Sequence, residues 1–167
     1  MINEITTFPQ TYQMQFGFHF DETQRLLELA RVLSEDVYRA KNRYSHESIH
    51  DTFVHLLGAD HLWRNVIANT KPSIFGPEEV AGIDALPAML AIERKGWREL
   101  LATLDETALF EAVERQSPEG PVVFTIWQTV QHVILHGMQH HTELARMLTA
   151  AGHSPGDIDF FSYRATE

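Results

Sequence analysis

Four of the ten histidines in this chain fall within ten consecutive residues, HVILHGMQHH, at positions 132–141. On an α-helix, at about 100° per residue, His132, His136 and His140 form one slowly turning row, and His141 points in another direction. His136 and His140 have the i, i+4 spacing with which two imidazoles of one helix reach a single metal ion. Histidines that bind nothing also occur at this spacing, so the row leaves both a metal site and a plain helix face open.

A third metal ligand has to come from another helix, because residues eight positions apart on one helix lie about 12 Å apart along its axis. Metal–nitrogen bonds are only about 2.0–2.1 Å long. The second predicted helix offers His46, His50, His55 and His61. His55 is flanked by apolar residues, and His50 and His61 are rotated from it by roughly 120–140°, so we expect these two to face solvent. His19, in GFHFDET, is the other inward candidate.

Two carboxylates have spacings that would let them support these histidines. Asp51 lies four residues before His55 and could accept the proton on the ring nitrogen that does not bind metal. Glu143 lies near the edge of the face that carries His136 and His140, and could do the same or act as a base. Both also fit ordinary solvated helix carboxylates. The residues identify no general base and no site for an organic cofactor.

The hydrophobic spacing predicts the helices that must position these side chains, in an all-α fold with one domain over residues 1–167. The predicted helices run from Thr11 to Tyr38, from a Ser45 or Ser48 cap to before Lys71-Pro72, from Asp84 or Pro87 through Leu104, and from Thr125 to Ala151. The segment from Pro72 to Asp84 is predicted as a loop. LFEAVERQSPEGPVVFTI, between the third and fourth helices, is typical of a short hairpin or an irregular crossover. Phe160, Phe161 and Tyr163 of the tail are expected to pack back on the helices.

The composition excludes several kinds of site and partner. The chain has no cysteine, so disulfides, a cysteine nucleophile and thiolate metal ligands are excluded. Asp and Glu outnumber Lys and Arg by 23 to 13, and this acidic balance argues against nucleic acid as a partner. No stretch approaches the roughly 20 apolar residues that cross a bilayer, and MINEITTFPQ lacks a signal-peptide pattern, so we expect no membrane association and a cytoplasmic location.

Three stretches of the chain resemble the DinB/YfiT-like family of metal-binding four-helix bundles. SIHDTFVHLLGADHLWRN is similar to the second helix of that family, and HVILHGMQHHTELARMLTAAG is similar to its last helix. The ending SPGDIDFFSY resembles the tails common in the group. His141 and Thr142 depart from the pattern, since Arg and Gly are common at these positions. The resemblance covers essentially the whole chain and places the family's three metal ligands on His55, His136 and His140.

The resemblance also implies a function and an assembly. It implies a four-helix bundle, a homodimer, and a divalent metal ion (zinc, nickel, iron or manganese) with open positions for water or substrate. Characterised relatives transfer low-molecular-weight thiols such as bacillithiol or mycothiol to electrophiles, or isomerise maleylpyruvate with mycothiol. We therefore expect a thiol S-transferase acting on a small molecule. The alternatives are a metal-dependent hydrolase and a metal-binding, stress-related module without turnover.

Overall fold

The computed structural model describes residues 7–71 and 75–164, so the start of the predicted loop at Pro72 lies outside the described residues. Five α-helices and one hairpin make up its regular structure, apart from two single 3₁₀ turns. The elements are α1 (Phe8–Ala30), α2 (Glu35–Tyr38), α3 (Ile49–Ile67), α4 (Leu86–Thr103), β1 (Ala112–Ser117), β2 (Gly120–Thr125) and α5 (Ile126–Ala150). The predicted all-α fold, with a hairpin before the last helix, is confirmed.

The four long helices form the bundle, in which α1 and α3 each pack against both α4 and α5. Their inward faces meet in a core built around large buried side chains, among them Phe20, Phe53 and Trp97. Trp97 stacks on Phe16 with ring centroids 4.3 Å apart, which joins α4 to α1. The antiparallel strands β1 and β2 are held against the ends of α3 and α5. Among the described helices, none is both long and apolar enough to span a bilayer.

Helix ends follow local sequence signals. The Ser48 hydroxyl accepts a hydrogen bond from the Asp51 backbone N–H and so caps α3, as one of the two predicted alternatives. Thr125 and Gln128 form a reciprocal capping box at the start of α5. Gly152 follows the end of α5 with φ of 88°, a conformation that favours glycine.

The first predicted helix is too long at its C-terminal end. It was expected to reach Tyr38, but α1 ends at Ala30. Ser34 is extended, with φ −67° and ψ 153°, and starts the separate short helix α2. Two acidic residues follow Ser34 in the first turn of α2, a pattern that favours a new helix start over continuation.

The tail packs on the bundle through two of its three predicted aromatic residues. Phe160 and Tyr163 lie edge-on to Phe18 of α1, with centroid distances of 5.2 and 5.3 Å. The prediction for Phe161 is wrong, because its side chain is 91% exposed. The chain turns within Asp159–Ser162, where Asp159 accepts hydrogen bonds from the Phe161 N–H and the Ser162 hydroxyl, and this turn directs Phe161 outward.

Candidate metal centre

Three histidines from two helices meet on one side of the bundle. Nε2 of His136 lies 3.0 Å from Nε2 of His55 and 3.1 Å from Nε2 of His140. His140 is buried, while His55 and His136 are half-buried. The contact between α3 and α5 therefore brings together the three residues that the resemblance to the DinB/YfiT-like family singled out.

The two distances from Nε2 of His136 suit a shared cation. Two ligand atoms bound to one ion at about 2.0–2.1 Å, with an angle of about 95–110° between them, lie about 3.0–3.4 Å apart. A neutral imidazole has one N–H, so Nε2 of His136 can donate a hydrogen bond to only one of its two neighbours at full strength. The two short approaches to Nε2 of His136 are thus better satisfied by a cation than by hydrogen bonds alone.

The protonation of the cluster also fits metal binding. Burial, together with the neighbouring histidines, lowers the pKa of His55 to about 4 and that of His136 to about 3. Both rings are therefore neutral near pH 7. A metal ion requires this form, because it binds the unprotonated nitrogen lone pair.

Glu143 fixes the orientation of the His140 ring. Its Oε2 atom accepts a hydrogen bond from Nδ1 of His140 at 2.8 Å and another from the Ser45 hydroxyl at 2.7 Å. Burial raises the pKa of Glu143, but the hydrogen bonds from Ser45 and His140 outweigh burial and hold the pKa below its ordinary value. With its proton on Nδ1, His140 presents the lone pair of Nε2 to the cluster. A carboxylate behind a histidine ligand has this role in many metal sites.

Asp51, the other carboxylate suggested by spacing, has a different partner. Its Oδ2 atom accepts a hydrogen bond from the Ser48 hydroxyl at 2.8 Å, next to the cap of α3. The first turn of a helix attracts carboxylates because of its unpaired N–H groups and the helix dipole. Asp51 therefore stabilises the start of α3.

The sequence did not single out His46, which the structure adds to the cluster as a fourth imidazole. His46 precedes α3, although a cap at Ser45, the other predicted alternative, would have placed it within that helix. Its ring stacks on His55 with centroids 3.8 Å apart, and one ring nitrogen each of His46, His55 and His140 lie within 4.8 Å of one another. Because His46 lies outside the helix, helical spacing does not predict its position. The only sequence signal is that it lies two residues before Ser48, which caps α3.

Of the two histidines expected to face solvent on α3, His50 is buried and His61 is half-buried. His50 is fully buried, with Nδ1 3.1 Å from the Tyr38 hydroxyl and Nε2 3.0 Å from the Pro77 carbonyl oxygen. Nδ1 of His61 lies 2.8 Å from Glu93 of α4. The prediction is wrong for His50, because α2 and the segment before α4 cover that side of α3. The rotation of a residue around α3 relative to His55 does not show which other segments of the chain pack against it.

His19 and His141 belong to a second, separate group of buried polar side chains. Nε2 of His19 lies 3.0 Å from Oδ2 of Asp60, and Nε2 of His141 lies 2.8 Å from the Thr23 hydroxyl. Both histidines are almost completely buried, and their rings are 5.0 Å apart. Nδ1 of His19 faces Gly137, where an added Cβ would lie only 2.4 Å away. His19, the other candidate for a third ligand, thus pairs with Asp60 between α1 and α3.

A cavity of about 420 Å³ opens beside the cluster. His55 and His136 form part of its wall, together with Trp63 of α3, Arg115 of β1 and His132 of α5. His132 is exposed, and its ring lies 5.4 Å from that of Trp63. The cavity gives a small molecule access to two of the three converging histidines.

Comparisons with known proteins agree with this architecture. The sequence model of the DinB family matches residues 10–167. A solved structure described as "YfiT from Bacillus subtilis is a probable metal-dependent hydrolase with an unusual four-helix bundle topology" aligns with a TM-score of 0.64 at 13% identity, over 92% of this chain and 94% of that chain. A conserved protein from Enterococcus faecalis aligns with a TM-score of 0.60 at 12% identity, over 87% and 99% of the two chains. Comparison with curated protein sequences gives no significant match.

Proposed function

The chain belongs to the DinB family, and on this premise we propose that it is a metal-dependent enzyme in which His55, His136 and His140 bind a divalent ion. The observation that carries the proposal is the approach of their Nε2 atoms to 3.0 and 3.1 Å across two helices. The orientation of His140 by Glu143 and the cavity beside His55 and His136 support it. Three histidine ligands with access for a further group are typical of catalytic metal sites.

The bound ion and the surrounding side chains would have different roles in such a site. A divalent ion supplies positive charge that lowers the pKa of a thiol or a water molecule and yields the nucleophile at neutral pH. His55 and His136 border the cavity in which an electrophile would lie, and Glu143 keeps His140 in one tautomer. Zinc, nickel, iron and manganese all suit three imidazoles, because selection among them depends on geometry and supply.

We favour thiol S-transfer as the reaction, with metal-dependent hydrolysis as the second candidate. In the transfer, the thiol loses its proton, its sulfur forms a bond to an electrophilic carbon, and the leaving group departs with its bonding electron pair. The resemblance to thiol transferases supports this reaction. The lack of cysteine is consistent with it, because no thiol of the protein competes for the electrophile. Hydrolysis draws support from the description of YfiT as a probable metal-dependent hydrolase.

His46 favours a further alternative, a metal-binding module without turnover. If this fourth imidazole bound the ion together with the other three, the site would be closed like a structural zinc site. An open site predicts that His46→Ala keeps both the ion and the activity. A closed site predicts that His46→Ala weakens metal binding as strongly as His136→Ala does. His153→Ala, beyond the end of α5, is the matched control.

The experiment that tests the proposed function compares two assays on protein loaded separately with each of the four metals. One assay follows the loss of free thiol from bacillithiol or cysteine in the presence of 1-chloro-2,4-dinitrobenzene, and the other follows hydrolysis of 4-nitrophenyl acetate without thiol. We expect thiol transfer above the rate with metal-free protein, and its loss in His136→Ala. Hydrolysis alone would support the second candidate, and activity in neither assay would support the module.

The homodimer and the cytoplasmic location stay predictions. Light scattering on the eluting protein would test the homodimer, which predicts a particle of twice the mass of the chain. Fractionation of the native cells would test the location.

A further inference from the structure

The cavity beside the histidines has an unusual charge for this chain. The protein carries a formal net charge of −10, yet no carboxylate is found among the described residues that line the cavity. Arg115 is the one arginine or lysine among them. Several of the other lining residues are apolar, including Val54, Leu62 and Phe75. The cavity therefore combines an apolar wall with one permanent positive charge.

Arg115 is held in place by an aromatic ring and not by an acidic partner. Its guanidinium carbon lies 5.3 Å from the centroid of the Trp63 ring, a cation–π contact. Within residues 7–71 and 75–164, no carboxylate lies within ion-pair distance of Arg115. The neighbouring Glu114 is hydrogen-bonded to Gln116, and these two side chains project to the opposite face of β1. The hydrogen-bond donors of the guanidinium are thus available to a ligand.

We infer that Arg115 binds a carboxylate group of the substrate, which makes the substrate a small carboxylic acid with an apolar body. The planar guanidinium donates two parallel hydrogen bonds to a carboxylate. The apolar wall suits the body of the molecule, and a volume of about 420 Å³ is in the range of small-molecule sites. Arg115 is the one permanently charged side chain among the described residues of the lining, and a single guanidinium pairs with one carboxylate group.

This inference rests on the proposed function for the reaction that the substrate undergoes, but carboxylate binding does not itself require a metal ion. The probes are 3-phenylpropionate and its neutral counterpart of the same shape, 3-phenylpropanamide. Both are titrated by NMR into metal-free and zinc-treated protein at pH 7, with the indole N–H signal of Trp63 as the reporter. A solvent-exposed ion pair contributes up to about 1 kcal/mol, which corresponds to about fivefold in affinity. We expect the carboxylate to bind about fivefold more tightly than the amide in both preparations.

Variants assign the preference to Arg115. In metal-free protein we expect Arg115→Gln to bind both probes equally, and Arg98→Gln, which removes an exposed arginine of α4, to keep the preference. Equal binding by the wild type, or an unchanged preference in Arg115→Gln, would overturn the inference. A preference retained by protein that takes up no zinc would leave the carboxylate site standing and count against the proposed function. Zinc uptake without a preference for the carboxylate would overturn the inference and leave the proposed function standing.

Discussion

Oε2 of Glu143 lies 2.8 Å from Nδ1 of His140, on the side of the ring opposite to the nitrogen that faces His136. The two residues are one helical turn apart on α5, so the helix itself sets their relative position. Ser45, from the segment before α3, donates to the same carboxylate oxygen. One glutamate thus links the orientation of a candidate ligand to the loop that also carries His46.

The first prediction concerns this glutamate. Glu143→Gln keeps the shape of the side chain but removes the negative charge that strengthens the hydrogen bond from His140. We expect zinc affinity to fall by about tenfold, the lower end of the effect of losing such a partner. Competition with a chelator at pH 7 measures the change. Ser45→Ala, which removes only a second donor, is expected to have a smaller effect, and unchanged affinity in Glu143→Gln would contradict the role.

Replacement of glycine by alanine is expected to have opposite effects on the free energy of unfolding at two positions, Gly137 and Gly58. At Gly137 an added Cβ would lie 2.4 Å from Nδ1 of His19, which is held between α1 and Asp60 of α3, so Gly137→Ala is expected to lower the free energy of unfolding by about 2 kcal/mol. At Gly58 the nearest atom outside the helix lies 3.6 Å away, in Phe75, so Gly58→Ala is expected to raise it by about 0.5–1 kcal/mol. Urea denaturation measures both. Effects of the same sign would contradict this account of the packing.

The buried pair of His19 and Asp60 predicts a difference between single and double variants. Burial raises the pKa of Asp60, and His19 partly offsets that rise. Asp60→Ala leaves His19 buried without its partner and is expected to lower the free energy of unfolding by about 3 kcal/mol. Replacement of both residues by leucine is expected to cost less, because neither polar group is then left unpaired. A single variant as stable as the double variant would contradict the pairing.

The contact of Tyr163 in the tail with Asp21 of α1 is expected to make the protein less stable at alkaline pH. Burial and the hydrogen bond to Asp21 raise the pKa of Tyr163 to about 12, above its ordinary value of about 10. The folded state therefore favours the protonated phenol. The stability that Tyr163 contributes is fully present below about pH 10 and is lost as the pH rises through about 12.

Tyr163→Phe isolates this contribution from those of the other tyrosines. Its hydroxyl donates to the Asp21 carboxylate at 2.7 Å, so the variant is expected to be about 1 kcal/mol less stable at pH 8. The gap between the two proteins should narrow between pH 10 and 12, as followed by urea denaturation. A gap independent of pH over this range would show that the phenol does not titrate as described.

Much of the bundle could be predicted because its helix ends are encoded locally. The last helix was predicted from Thr125 to Ala151, and α5 runs from Ile126 to Ala150 between a capping box and a glycine with positive φ. The end of α1 was missed because apolar residues continue at helical spacing beyond Ala30. The extended conformation of Ser34 prevents α1 from continuing into α2. In the sequence, only the pattern Ser34-Glu35-Asp36 marked this new helix start.

The part of the site that could be predicted is the part carried by a single helix, α5. The relative position of His136 and His140 follows from four residues of α5, and Glu143 follows from three more. The positions of His46 and Arg115 depend on a loop and a hairpin folding back on α3, which no residue spacing records. The burial of His50 likewise depends on Tyr38 and Pro77, which are distant from it in sequence.

The metal content of untagged protein, measured by plasma mass spectrometry, tests the central claim most directly. Wild type is compared with His55→Ala and His140→Ala, with His153→Ala as the control and circular dichroism to confirm folding. The account predicts about one divalent ion per chain in wild type and the control, and its loss in both other variants without unfolding. A folded wild type that carries no ion and takes up none of zinc, nickel, manganese or iron(II) would contradict it.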